Sequence, residues 1–136
     1  MAFRLIQDVT GSPMVIRKYL VTDSEAIARG EALIFSSGRL TKAAAGGAVA
    51  AIATHAVTAG TNKECEVIIV TASQIYEVEY TGTPDAAFVV GQNAADIDST
   101  GTKINAADVL AGACAILKVD SAAGKCQVMF KNRQLN

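Results

Sequence analysis

The chain has 136 residues, enough for about one domain and for a core that needs no covalent staples. Apolar residues make up 51% but aromatics only 5%, and Trp is absent, so the composition packs closely and offers few large anchors for a deep ligand pocket. With 12 basic and 13 acidic residues the formal charge is -1, which excludes the basic footprint of a nucleic-acid binder; no block of Lys or Arg favours a membrane surface.

Residues 1–13 alternate weakly and close on Gly11-Ser12-Pro13, the pattern of an extended arm ended by a turn. The arm carries Phe3, Leu5, Ile6 and Val9, too many apolar side chains for a free tail in water. It is either an edge strand of its own domain or an arm that reaches a neighbouring subunit, where strand addition supplies main-chain hydrogen bonds and side-chain pockets together. Phe3, Leu5, Ile6 and Val9 are therefore the candidate contacts to a second subunit or to a larger surface.

Residues 14–22 are rich in β-branched and aromatic side chains and predict a strand. Thr22-Asp23-Ser24-Glu25 fits a capping box and predicts one helical turn stopped by Gly30, or a plain polar turn. Two apolar runs in 31–42 flank Ser36-Ser37-Gly38 and predict a hairpin. A loop at 43–48, with Gly46-Gly47, precedes an apolar strand at 49–57. The clearest strands are 65–71 and 75–81. In the second, Ile75, Glu77 and Glu79 share one face and Tyr76, Val78 and Tyr80 the other, as in a sheet wetted on one side. Residues 88–90 suggest a strand fragment, 92–103 a polar stretch of turns, and 105–112 a capped helical turn stopped by Gly112. A last hairpin, 113–119 and 126–131, turns at Gly124 and leaves a short polar tail.

About eight short strands separated by turn signals, with no sustained helix, predict an all-β sandwich or barrel, jelly-roll-like arrangements included, with one or two short helical turns. The expected organisation is an N-terminal arm (1–13), a single β domain (14–131) and a C-terminal tail (132–136).

Catalytic constellations are hard to find. His55 is the only histidine, so a Ser-His-Asp triad would rest on it alone, and no Gly-x-Ser-x-Gly elbow accompanies it. Cys65, Cys114 and Cys126 are too far apart to pre-form a zinc half-site. Their odd number, with no secretory leader or apolar run of membrane-spanning length, fits buried, reduced thiols in a cytoplasm. The turn Asp96-Ile97-Asp98-Ser99-Thr100-Gly101 superficially matches a calcium loop but has Ala107 where the bidentate carboxylate belongs. Glu77 and Glu79 lack the opposite wall that a glycosidase pair requires. Gly46-Gly47 lacks the Gly-Lys-Ser/Thr ending of a phosphate loop. The expectation is a non-enzymatic protein without cofactor or metal.

Two segments resemble the cement (decoration) proteins of tailed-phage capsids. The first is the hairpin 28–43, in which Gly30-Glu31-Ala32-Leu33-Ile34 leads to Ser37-Gly38-Arg39-Leu40, followed by the Ala-rich strand 51–60. The second runs from Phe88-Val89-Val90-Gly91-Gln92 through Asp96-Ile97-Asp98-Ser99-Thr100-Gly101 to the Gly-led strand 112–120 and Gln127-Val128-Met129-Phe130. The resemblance implies a virion protein on the capsid exterior, assembled in the host cytoplasm. It would bind the major capsid protein as a homodimer or homotrimer and clamp neighbouring capsomers, with no catalytic residues, no nucleic acid and no membrane. The alternatives are another β-rich virion or tail component, or a small ligand-binding β domain.

Overall fold

The computed structural model describes residues 2–43 and 46–136. Met1 of the predicted arm, and Ala44 and Ala45 of the predicted 43–48 loop, lie outside the described residues. Among the described residues the chain forms eleven strands and no helix: β1 (Arg4–Asp8), β2 (Ile16–Leu20), β3 (Ala32–Ser36), β4 (Arg39–Lys42), β5 (Ala51–Ala53), β6 (Glu64–Ile69), β7 (Gln74–Thr81), β8 (Asp96–Ile97), β9 (Ile104–Asn105), β10 (Cys114–Asp120) and β11 (Lys125–Phe130). The chain is all-β, as its turn spacing predicts.

The strands build two sheets. One runs β2-β6-β5-β3-β4 and is curled, so that its outer strands meet at a Val21–Leu40 bridge and Thr22 N–H donates to the Leu40 carbonyl at 2.9 Å. The other runs β10-β11-β7-β9-β8, with β1 added antiparallel on β7. Except for β1, the first sheet comes from the front half of the chain and the second from the back half.

Small side chains make the curl possible. Inside the curled sheet Val21, Leu33, Leu40, Ala51, Ala53, Cys65 and Val67 form one apolar cluster. Between the sheets Ile52, Val70, Tyr76, Val78, Ile97, Val128 and Phe130 belong to the other. Central strand β5 (Ala51-Ile52-Ala53) is buried on both faces, with alanines toward the tight interior and Ile52 toward the second sheet. A strand covered on both sides reads as a continuous apolar run, as this one does.

Both predicted helical turns are replaced by other structure. At 22–29 the backbone groups are taken by neighbouring strands: Ser24 N–H donates to the Gly60 carbonyl, and Ile27 and Val57 exchange both bonds at 2.9 Å. Ser24 is left-handed at φ 65°, and the Glu25 carboxylate accepts from the Thr41 hydroxyl at 2.7 Å in place of a cap bond. At 105–112 the Asn105 and Asp108 side chains accept from Ala107 and Leu110 N–H, making side-chain-capped turns. Gly112 serves close approach, not helix termination: a Cβ there would overlap the Ala95 carbonyl. Residues 88–90 form turns, with only Phe88 buried, its ring 5.1 Å from that of Tyr80. The polar stretch 92–103, by contrast, contributes β8, whose Asp96 and Ile97 are both buried.

The polar tail is held across the two sheets. Val49 and Arg133 form a parallel bridge, and the Asn136 amide donates to the Val70 carbonyl at 3.0 Å. Gln134 both accepts from Phe35 N–H at 2.7 Å and donates to the Phe35 carbonyl at 2.9 Å.

Candidate functional site

The arm lies on its own domain. Arg4, Leu5, Gln7 and Asp8 pair with Glu77, Tyr76, Ile75 and Gln74 of β7, and the Arg4 guanidinium meets the Glu77 carboxylate at 2.7 Å. That contact holds the Glu77 carboxyl below its usual range. The register slips between Leu5 and Gln7, leaving Ile6 as the extra residue of a bulge. A bulge on an edge strand twists its free backbone away from simple strand addition.

The four candidate contact residues therefore divide. Phe3 is core, 3% exposed, with its ring 5.2 Å from that of Phe130, and Leu5 packs against the same cluster. Ile6 and Val9 face solvent at 37% and 56% exposure. Met14 and Val15, on the segment that follows the arm, and Ile16 and Leu20 of β2 are exposed as well, which composition alone did not single out. The signal in the sequence was the apolar run at 14–16 directly after the Pro13 turn.

Cross-strand register explains why this surface is apolar. Ile16 pairs with Ile68, Ile68 with Ile52 and Ile52 with Ala32, so these four lie in one row across the curled sheet. Burial falls along the row, from fully buried Ala32 and Ile52, through half-buried Ile68, to Ile16 at the open edge. The arm covers only part of it. The uncovered part is a cleft of about 490 Å³ lined by Phe3, Leu5, Met14, Ile52 and Ile68, with Arg4 and Arg29 supplying its charge. A cleft of this size is within the range of binding sites. The close seat of the arm depends on Gly30, whose left-handed φ of 77° and missing Cβ leave room for Ala2 and the Phe3 carbonyl.

The reactive side chains are engaged elsewhere. His55 is exposed, with Nδ1 against the Ala56 carbonyl at 3.0 Å and Nε2 accepting from Glu66 N–H at 3.2 Å. Burial pushes the Cys65 thiol up to about 11 and the Cys126 thiol up to about 12, and raises Cys114 well above its ordinary value. Such thiols stay protonated and non-nucleophilic near neutral pH. Asp96 is buried and accepts from the Gly46 and Ile97 N–H groups, both at 2.8 Å. Asp98 accepts from the Thr100 hydroxyl at 2.7 Å and from Thr100 and Lys103 N–H. These two carboxylates thus organise the loop. No group of three metal-ligating side chains occurs among the described residues. Glu77 lines only a depression of about 40 Å³ together with Lys118, Asp120 and Lys125.

No protein-family model matches the chain, and no curated protein matches it.

Proposed function

We propose that the chain is a structural virion protein that binds the outside of an icosahedral phage capsid and stabilises contacts between capsomers. Its partner is the major capsid protein, and it acts as a small homo-oligomer without catalysis. The observation that carries this reading is the run of exposed apolar side chains at Ile6, Val9, Met14, Val15, Ile16 and Leu20, carried by β1, β2 and the segment that joins them. Apolar side chains at such density on adjoining segments of a surface mark an interaction face. The hairpin and C-terminal segments that resemble decoration proteins add to it, and both fall on paired strands of this fold. Many copies on a shell gain avidity from weak contacts, so no deep pocket is required.

The test is co-sedimentation with icosahedral shells assembled from a tailed-phage major capsid protein, the one whose gene neighbours that of this chain if the reading holds. The wild-type protein is expected to pellet with shells, and the surface variant Ile6→Lys/Leu20→Lys to bind at least about tenfold more weakly. Failure of the wild type to pellet, or unchanged binding by the variant, overturns the reading. Deleting the arm is a poor substitute, because it removes Phe3 from the core.

A further inference from the structure

The cleft beside the arm asks for an aliphatic side chain accompanied by a carboxylate. Its floor and walls are Ile52, Ile68, Phe3 and Met14, and Arg29 has no hydrogen-bond or ion-pair partner among the described residues. The chain itself presents that combination on another surface, in the loop between β9 and β10. Leu110 is 89% exposed, the most exposed of the large apolar side chains, two residues after Asp108.

This loop is a fixed protrusion. Val109, between the two, is buried in the core at 7% exposure. The Asp108 carbonyl accepts from Asp96 N–H at 3.0 Å, and Gly112 N–H donates to the Ala94 carbonyl at 2.8 Å. Asp108 Oδ1 accepts from Leu110 N–H at 3.3 Å, leaving Oδ2 without a partner among the described residues. A side chain held outward by a pinned backbone loses little freedom on docking, which favours it as an anchor. None of the cleft's lining residues belongs to this loop.

We propose that the occupant of the cleft is the Asp108–Leu110 protrusion of a second copy, Leu110 entering between Phe3 and Ile68 and Asp108 facing Arg29. The contact joins two different surfaces, so it is head-to-tail and closes into a ring when the rotation between copies permits. It rests on the homo-oligomer of the proposed function and not on the capsid as partner. The apolar rim of Met14 and Ile16 enlarges the buried area around the central anchor.

The experiment uses the full chain. Sedimentation-velocity runs over a concentration series are expected to show a discrete oligomer for the wild type. Leu110→Asp and Arg29→Asp are each expected to weaken association at least about tenfold with unchanged thermal melts, since both sites are exposed. Combining Arg29→Asp with Asp108→Arg is expected to restore part of it. Mixing Leu110→Cys with Arg29→Cys protein under oxidising conditions should give a covalent heterodimer. A monomeric wild type, or an oligomer untouched by Leu110→Asp, overturns the proposal, as does oxidation that links Leu110→Cys only to itself. A wild type that assembles through Leu110 yet ignores capsid shells sinks the shell reading and leaves this one standing.

Discussion

Phe3 carries more of the fold than its place near the N-terminus suggests. Its ring sits 5.2 Å from Phe130, which in turn packs edge-on against Tyr76 at 5.3 Å, so three aromatic rings tie the arm, β11 and β7 together. Truncating a buried aromatic removes its transfer free energy and leaves a cavity, and Phe→Ala changes in cores cost about 3–5 kcal/mol. Phe3→Ala is expected to lie near the lower end, about 3 kcal/mol, because the edge strand can relax; urea unfolding checks it. A loss under 1 kcal/mol would mean that β1 does not hold to β7 in solution. The sequence shows that the arm is too apolar to be free, but not which of its residues turn inward. Phe3 and Leu5 point to the core and Ile6 away from it, as alternation requires, but the one-residue bulge then breaks the pattern, leaving Gln7 exposed and Asp8 half-buried. A bulge has no marker in Leu5-Ile6-Gln7. The three cysteines fall at the inward positions of predicted strands and pack as small apolar side chains, and all three are buried.

At the scale of elements, the strands and hairpins follow from local chemistry, while the failed assignments follow from long-range competition. The β3–β4 hairpin pairs Ser36 with Arg39 across a two-residue turn in which Ser37 and Gly38 have φ of 51° and 78°. Both values are left-handed, as the primed turns that match strand twist require. Gly38 meets this without strain, whereas Ser37 does so at a cost that Asn would reduce. Ser37→Asn is expected to stabilise by a few tenths of a kcal/mol and Gly38→Ala to destabilise by about 1 kcal/mol. A Cβ at Gly38 meets no atom within 4 Å, so the second effect isolates backbone strain. Thermal melts of the two variants, shifted in opposite directions, are the check. The capping-box pattern at Thr22–Glu25 misled for the opposite reason. A single helical turn gains little on its own, and the groups that would have formed it bond instead to Leu40, Gly60 and Val57, up to 36 positions away in the case of Gly60 and Ser24. Strands β8 and β9, two residues each, are too short to carry a period, and only their burial within the sheet defines them.

At the scale of the molecule, the two sheets are joined by features that polar sequence does not advertise. The tail is one: Gln134 completes the backbone bonds of Phe35 where β5 has ended. Glu31 is the other. It stands at the start of β3, 3% exposed, where Ala32 N–H donates to the Gly101 carbonyl at 2.8 Å and so joins the curled sheet to the loop after β8. Glu31 Oε1 accepts from Ala28 N–H at 3.0 Å, while Oε2 is buried without a partner. Burial raises its carboxyl above the usual 4.5; Glu25 adds to the rise, while the Ala28 bond and the Lys42 ammonium oppose it. The Cys65 thiol is raised chiefly by burial and further by the Glu31 charge. In the unfolded chain Glu31 loses its proton near the usual carboxyl value, whereas the folded protein keeps it to higher pH. Across that window the folded state binds more protons, so stability is full below the usual value and falls as pH rises through the raised one. Above the window an ionised oxygen remains buried unpaired, at a cost of about 1 kcal/mol or somewhat more. Glu31→Gln keeps the acceptor for Ala28 and removes the charge. The variant is expected to match the wild type near pH 4 and to exceed it by about 1 kcal/mol at pH 7–8, in thermal or urea unfolding followed across that range. A stability difference that stays constant with pH would show that Glu31 titrates as it does in the unfolded chain, and its ionised carboxylate at the joint between the sheets would then carry no burial penalty.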